Sequence, residues 1–135
     1  MENVFLDDYL FPKIGNFGLL TRFLNLDMMS HQSMTGLKCT PIYSSPEVLQ
    51  TKSYSKASDV YSFAFIVYQV VTGEVPFSNL SSSHQVFNEV VLKGERPRIK
   101  ETVPNVYKDL IKKCWSEDPN ERPTFEEIYY KLAYN

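Results

Sequence analysis

The stretch from Ala57 to Gly73, Ala-Ser-Asp-Val-Tyr-Ser-Phe-Ala-Phe-Ile-Val-Tyr-Gln-Val-Val-Thr-Gly, constrains the fold more than any other part of the sequence. Between Val60 and Val71 its only strongly polar residues are Ser62 and Gln69. A helix that is apolar nearly all round belongs inside a domain, not on its surface with one wet face. The β-branched and aromatic residues would also suit a strand, but the run is too long for one. Ser55 or Ser58 offers an N-cap, and Gly73 with Pro76 behind it makes a stop. The segment is therefore expected to be a central helix, buried on every side. It falls short of the roughly 20 apolar residues a bilayer requires, so no membrane span is expected. Asp59 breaks the apolar pattern at the mouth of the helix. Either it accepts backbone amides in the first turn, or it holds another piece of backbone, because an unpaired buried carboxylate is costly.

With 135 residues, 43% of them hydrophobic and 22% charged, the chain has the composition of about one globular domain. Fourteen basic residues against 16 acidic ones leave no basic stripe. Nucleic acid and anionic membranes are thus not expected as partners, and small ligands or proteins remain. Cys39 and Cys114 lie far apart, with only His31 and His84 beside them. That pattern supports neither a disulfide framework nor a zinc cluster, and it points to a reducing, intracellular and cytoplasmic setting. No signal peptide is read at the start, which lacks a basic segment followed by an apolar one.

Val4 to Leu6 is a short apolar run, Asp7 and Asp8 follow as turn residues, and Pro12 to Phe17 resumes an alternation. These are expected as two short strands in a hairpin-like pair. From Leu19 to Val48 no period survives, so a long loop is expected there. Ser81 to Leu92 is expected to be a helix capped by Ser83, with Val86, Phe87, Val90 and Val91 at helical spacing. A Pro-containing connector follows from Gly94 to Pro104. Asn105 to Trp115 places Val106, Leu110, Ile111 and Cys114 on one helical face. Thr124 and Glu127 form a capping box for a last helix to Leu132, with Ile128 and Leu132 facing inward. Strands first and helices after them make the class α+β, mostly α.

Several motifs occur in a telling order. Asn16-Phe17-Gly18 ends a short strand, about thirty residues of loop follow, and Ser45-Pro46-Glu47 closes the loop before the apolar helix opens at Asp59. The order resembles that of a protein kinase, whose activation segment runs from DFG to APE. Glu2-Asn3-Val4-Phe5-Leu6-Asp7 resembles the end of the catalytic loop, and Ser58-Asp59-Val60-Tyr61-Ser62-Phe63-Ala64 resembles the entrance of the central helix of the family. Cys114-Trp115-Ser116-Glu117-Asp118-Pro119-Asn120-Glu121-Arg122-Pro123-Thr124-Phe125 resembles the motif near its last helices, above all in tyrosine-kinase-like serine/threonine kinases. The resemblance covers nearly the whole chain. It implies that residues 1–135 are a partial kinase domain, the C-terminal lobe from the end of the catalytic loop, with 16–47 as the activation segment.

The resemblance also assigns roles. Asn3 matches the residue that gives an amide oxygen to a second Mg²⁺, and Asn16 stands where an Asp bridges Mg²⁺ to the phosphates. A neutral amide is a poor substitute, because Mg²⁺ relies on carboxylate charge. Thr40 falls in the substrate-site loop, where Cys39 replaces the usual Gly. Glu47 and Arg122 match a pair that ties the activation segment to the last helices, and the guanidinium fork suits such a bidentate contact. Asp59 matches a residue that holds catalytic-loop backbone just before Asn3. Trp115 is expected in the core, and His31 and His84 in solvent. Thr21, Ser30, Ser33 and Thr35 stand in the long loop, with no phosphosite assigned among them.

These residues contain no Gly-rich loop, no strand Lys, no partner Glu for it and no catalytic Asp, the parts on which phosphoryl transfer rests. Mg²⁺–ATP is the cofactor of the family, and this chain alone is not expected to bind it. Three functions fit: the C-terminal part of a kinase domain, inactive as this chain; a pseudokinase-type module that binds a protein; or an unrelated helical interaction domain. The partner is a protein substrate or a protein ligand in each case, and the sequence indicates no oligomeric state.

Overall fold

The computed structural model describes residues 3–15 and 41–134. The chain divides into two compact units, Met1–Lys38 and Cys39–Asn135.

In the first unit, β1 (Val4–Leu6) and β2 (Pro12–Ile14) pair antiparallel, with Phe5 opposite Lys13. Asp7 makes the turn: its Oδ1 accepts the amides of Tyr9 at 3.0 Å and Phe11 at 2.9 Å, and its Oδ2 lies 3.4 Å from Lys13 Nζ. A short polar side chain that replaces backbone partners in this way is the usual reason for Asp in tight turns. A Cβ on Gly15 would meet the edge of the Phe5 ring at 2.8 Å, so that exposed ring would have to shift. The expected continuation of the second strand to Phe17 lies outside the described residues, as does most of the long loop.

The second unit is helical. A 3₁₀ turn, Pro41–Tyr43, leads to α1 (Pro46–Thr51), which the expected loop to Val48 had absorbed. Proline at the first helical position loses no hydrogen bond and is set for the turn, so Ser45-Pro46-Glu47 starts a helix there. The central helix, α2, spans Lys56–Thr72. Both candidate caps act: Ser55 Oγ accepts the Ser58 amide while the Ser58 side chain accepts the Ser55 amide. Gly73, at φ 70°, ends the helix in the left-handed region and donates its N–H to Gln69 O. Burial is not complete on all sides, since Lys56, Asp59 and Val70 are exposed.

Helix α3 (Ser83–Phe87) continues as a π-helical turn over Asn88–Leu92. Its cap is Ser82 rather than Ser83, because Gln85 stands three residues after Ser82 and reaches back to its amide. Helix α4 (Asn105–Cys114) buries Leu110, Ile111 and Cys114 and half-buries Val106. Helix α5 (Phe125–Ala133) begins with the Thr124–Glu127 capping box and buries Ile128. Leu132 is exposed instead of inward: only one turn of this short helix has a core to face. Tyr61, Ala64, Phe65 and Tyr68 of α2 meet Val86, Val90, Leu110, Ile111, Trp115 and Ile128 in one hydrophobic cluster.

Candidate functional site

The first turn of α1 presents Glu47, and the 3₁₀ turn Pro119–Glu121 ends at Arg122. Seventy-five residues apart in sequence, the two meet in a bidentate pair, Nη1 to Oε1 at 2.7 Å and Nη2 to Oε2 at 2.9 Å. The Arg122 side chain is fully buried and that of Glu47 is 20% exposed. A buried guanidinium needs every donor satisfied. Arg122 donates further to Ala57 O at 3.0 Å, Ser116 O at 2.9 Å and Glu117 O at 3.3 Å, while Ser58 Oγ donates to Glu47 Oε1 at 3.1 Å. One side chain thereby joins α1, the start of α2 and the loop before α5. The structure brings Glu47 and Arg122 together as their motif positions imply.

No motif marks Arg96 in the sequence. Its Nε donates to Trp115 O at 3.0 Å and its Nη2 pairs with Glu117 at 2.8 Å. The guanidiniums of Arg96 and Arg122 lie 5.2 and 5.0 Å from the centre of the Tyr61 ring, so a buried aromatic face carries both cations. The available signal was repetition: Glu95-Arg96-Pro97 echoes Glu121-Arg122-Pro123. Burial pushes the Tyr61 hydroxyl up to about 12, which keeps it neutral between them.

Burial also pushes the Glu47 carboxyl up, but the hydrogen bonds and charge of Arg122 outweigh it and hold it at about 2. A carboxyl whose folded value is depressed adds stability above its unfolded value, here 4.5, and that stability is lost as pH falls toward 2. The urea midpoint should therefore drop on acidification through this window, and Glu47→Gln should remove much of the drop. An equally steep acid profile in Glu47→Gln would show that other carboxylates carry it.

Asp59 has the opposite sign. Partial burial raises its carboxyl above 3.8, and no hydrogen bond or ion pair holds it among the described residues. Because the residue as a whole is exposed, water screens most of the effect. Its charged form is slightly disfavoured in the folded chain, so its contribution is full below 3.8 and declines as pH rises through the raised value. Asp59→Asn should remove that small decline and leave the Glu47 window intact; a loss of stability at neutral pH would instead reveal Asp59 as a needed cap.

Asn3 lies in the exposed turn before β1, where its carbonyl accepts the Gly15 amide at 2.9 Å. Asn16 and Thr40 lie outside the described residues, as do Cys39, His31 and the hydroxyl residues Thr21, Ser30, Ser33 and Thr35. His84 is exposed and Trp115 is buried. Of the pair that the resemblance assigns to Mg²⁺, the described residues include Asn3 and not Asn16. Asn3 brings one neutral amide, Asp7 spends its carboxylate on two amides and Lys13, and no group of three His, Cys, Asp or Glu among the described residues could hold a metal.

The family model for protein tyrosine and serine/threonine kinases matches residues 1–132. The chain belongs to that protein kinase family, and its α+β, mostly helical architecture is that of the helical part of a kinase domain. It is 37% identical over 135 residues to the probable serine/threonine-protein kinase drkC of Dictyostelium discoideum, covering 97% of this chain and 17% of that protein. Similarity is close as well to the dual specificity protein kinase shkC of the same organism, 36% identical over 98% of this chain and 26% of that protein. The dual specificity protein kinase pyk3, also from Dictyostelium discoideum, is 36% identical over 97% of this chain and 9% of its own length. The chain thus spans about a quarter or less of these relatives. An unrelated helical domain is set aside by the family membership. No helix among the described residues is long and apolar enough to cross a membrane.

Proposed function

We propose that residues 1–135 are the C-terminal lobe of a protein kinase domain, with 16–47 as its activation segment, which engages a protein and as it stands transfers no phosphate. The carrying observation is Asn16, an amide at the position where the family places a metal-bridging carboxylate. The scaffold is meanwhile complete enough to close the Glu47–Arg122 pair. Structural residues retained beside lost chemistry suit protein recognition around Thr40, by a substrate or a binding partner of serine/threonine character.

A pseudokinase-type module that binds a protein is the second reading, and Asn16 is the residue that favours it. Nucleic acid is not proposed as a partner, given the net charge of −2. The cytoplasm is the proposed location, since Cys39 and Cys114, far apart in the sequence, offer no disulfide framework. Calorimetry of the purified chain with Mg²⁺ and ATP is expected to show binding weaker than roughly 1 mM. Micromolar affinity would overturn the proposal.

A further inference from the structure

Just past the end of α4, the consecutive backbone carbonyls of Trp115, Ser116 and Glu117 are shared between two guanidiniums. Arg96 Nε donates to Trp115 O at 3.0 Å, while Arg122 donates to Ser116 O at 2.9 Å and Glu117 O at 3.3 Å. The carboxylate of the same Glu117 accepts from Arg96 Nη2 at 2.8 Å. Glu117 thus touches both arginines, one through its backbone and the other through its side chain. Both cations also lie against the Tyr61 ring.

Arg96 reaches further, because its Nη1 donates to Glu95 O at 2.9 Å and Val90 O at 3.4 Å. Val90 belongs to the π-helical turn that ends α3. The last carbonyls of a helix have no partner within it, so a guanidinium there satisfies an orphan acceptor and complements the negative end of the helix. Trp115 O, one residue past the last of α4, is an acceptor of the same kind. One side chain therefore closes the ends of α3 and α4, and it does so on the loop that holds Arg122. Lysine could not take that place, since it has no planar fork to serve acceptors in fixed directions.

We propose that Arg96 and Glu117 are positioning residues for the Glu47–Arg122 pair, so that the end of α3 is linked to the entry of α1 through residues 115–117 and the Tyr61 ring. Displacement of the π-helical turn moves Arg96, Arg96 moves Glu117, and Glu117 moves the guanidinium that holds Glu47. A protein bound against α3 would by this route change the hold on the segment that ends at Glu47. That consequence rests on the function proposed above, whereas the linkage belongs to the free chain. Such a linkage is a coupling free energy between two places and is read as non-additivity.

The test is a double-substitution cycle of Glu117→Gln and Glu47→Gln in the full chain, read by urea unfolding and by hydrogen exchange. Glu117→Gln keeps the carbonyl that Arg122 uses and alters a side chain that is 58% exposed, so the core is left intact. The local probe is the Leu49 amide in α1, which donates to Ser45 O at 3.0 Å; the control is the Gly73 amide at the far end of α2, which donates to Gln69 O at 2.9 Å. Glu117→Gln should speed exchange at Leu49 at least about fivefold and leave Gly73 unchanged. In the cycle, the combined effect on the unfolding constant should fall at least about threefold short of the product of the separate effects. The sign separates position from charge: removing an anion favours the Glu47 carboxylate through space and would not speed Leu49, whereas lost positioning does. Arg96→Lys, which keeps the charge without the fork, should speed Leu49 as well. Multiplicative effects in the cycle, or unchanged exchange at Leu49 in both variants, would overturn the proposal, as would equal acceleration at Gly73. Coupling found in a chain that recognises no protein would support the linkage and count against the proposed function.

Discussion

Alanine at Glu47 or at Arg122 is expected to cost ~3 to 5 kcal/mol of stability, the usual penalty for removing one partner of a buried ion pair. The two substitutions reach that loss differently. Glu47→Ala strands a guanidinium with no solvent exposure, still held among the carbonyls of Ala57, Ser116 and Glu117. Arg122→Ala leaves a partly exposed carboxylate that water can reach, but it strips three carbonyls of their donor and removes one of the two cations on the Tyr61 ring. Each single loss already breaks the whole node, so the double substitution should fall well short of their sum. Equal urea midpoints for the wild type and both single variants would sink this account of the pair.

Phe65→Ala is expected to have an effect of the same size, ~3 to 5 kcal/mol. The ring is fully buried and lies 5.4 Å from Tyr61, 5.6 Å from Trp115, 6.0 Å from Tyr43 and 6.3 Å from Phe77. Aromatic neighbours on every side are stiff and fill a cavity poorly, which places the cost toward the upper part of the range for large-to-small changes. Domains commonly hold only about 5 to 15 kcal/mol in total, so much of the chain should be unfolded in that variant. A melting profile near that of the wild type would mean that the cluster around α2 collapses easily and is not the organising core.

The sequence made α2 legible because length, apolar content, Ser55 and Ser58 before it and Gly73 after it all agree. The capping box of Thr124 and Glu127 was readable for the same reason: both residues act locally. Where only two turns exist, periodicity carries little, so α1 reads as loop despite Pro46 at its start. Ser82, not Ser83, is the cap because its partner Gln85 stands three residues on, a spacing that adjacent serines leave open until the helix start is known. Leu132 was placed inward by helical period alone, which says which residues share a face and not where the neighbouring helices end.

Contacts across long separations were the least legible. Glu47 and Arg122 were found only through the motifs around them, since nothing near either residue announces the other. Arg96 carries no motif of that kind and was read as connector, although it shares the Tyr61 ring with Arg122. Ser62 and Gln69 stood out as the polar interruptions of α2, yet their common partner Tyr43, 19 and 26 residues upstream, shows only in three dimensions.

Under the proposed function, these residues keep the kinase scaffold without its chemistry. Phosphate transfer from Mg²⁺–ATP to a mixture of serine, threonine and tyrosine peptides tests it most directly, with Asn16→Asp beside the wild type. No transfer above the blank is expected from either protein. Transfer by the wild-type chain that stops when Mg²⁺ is chelated would contradict the claim.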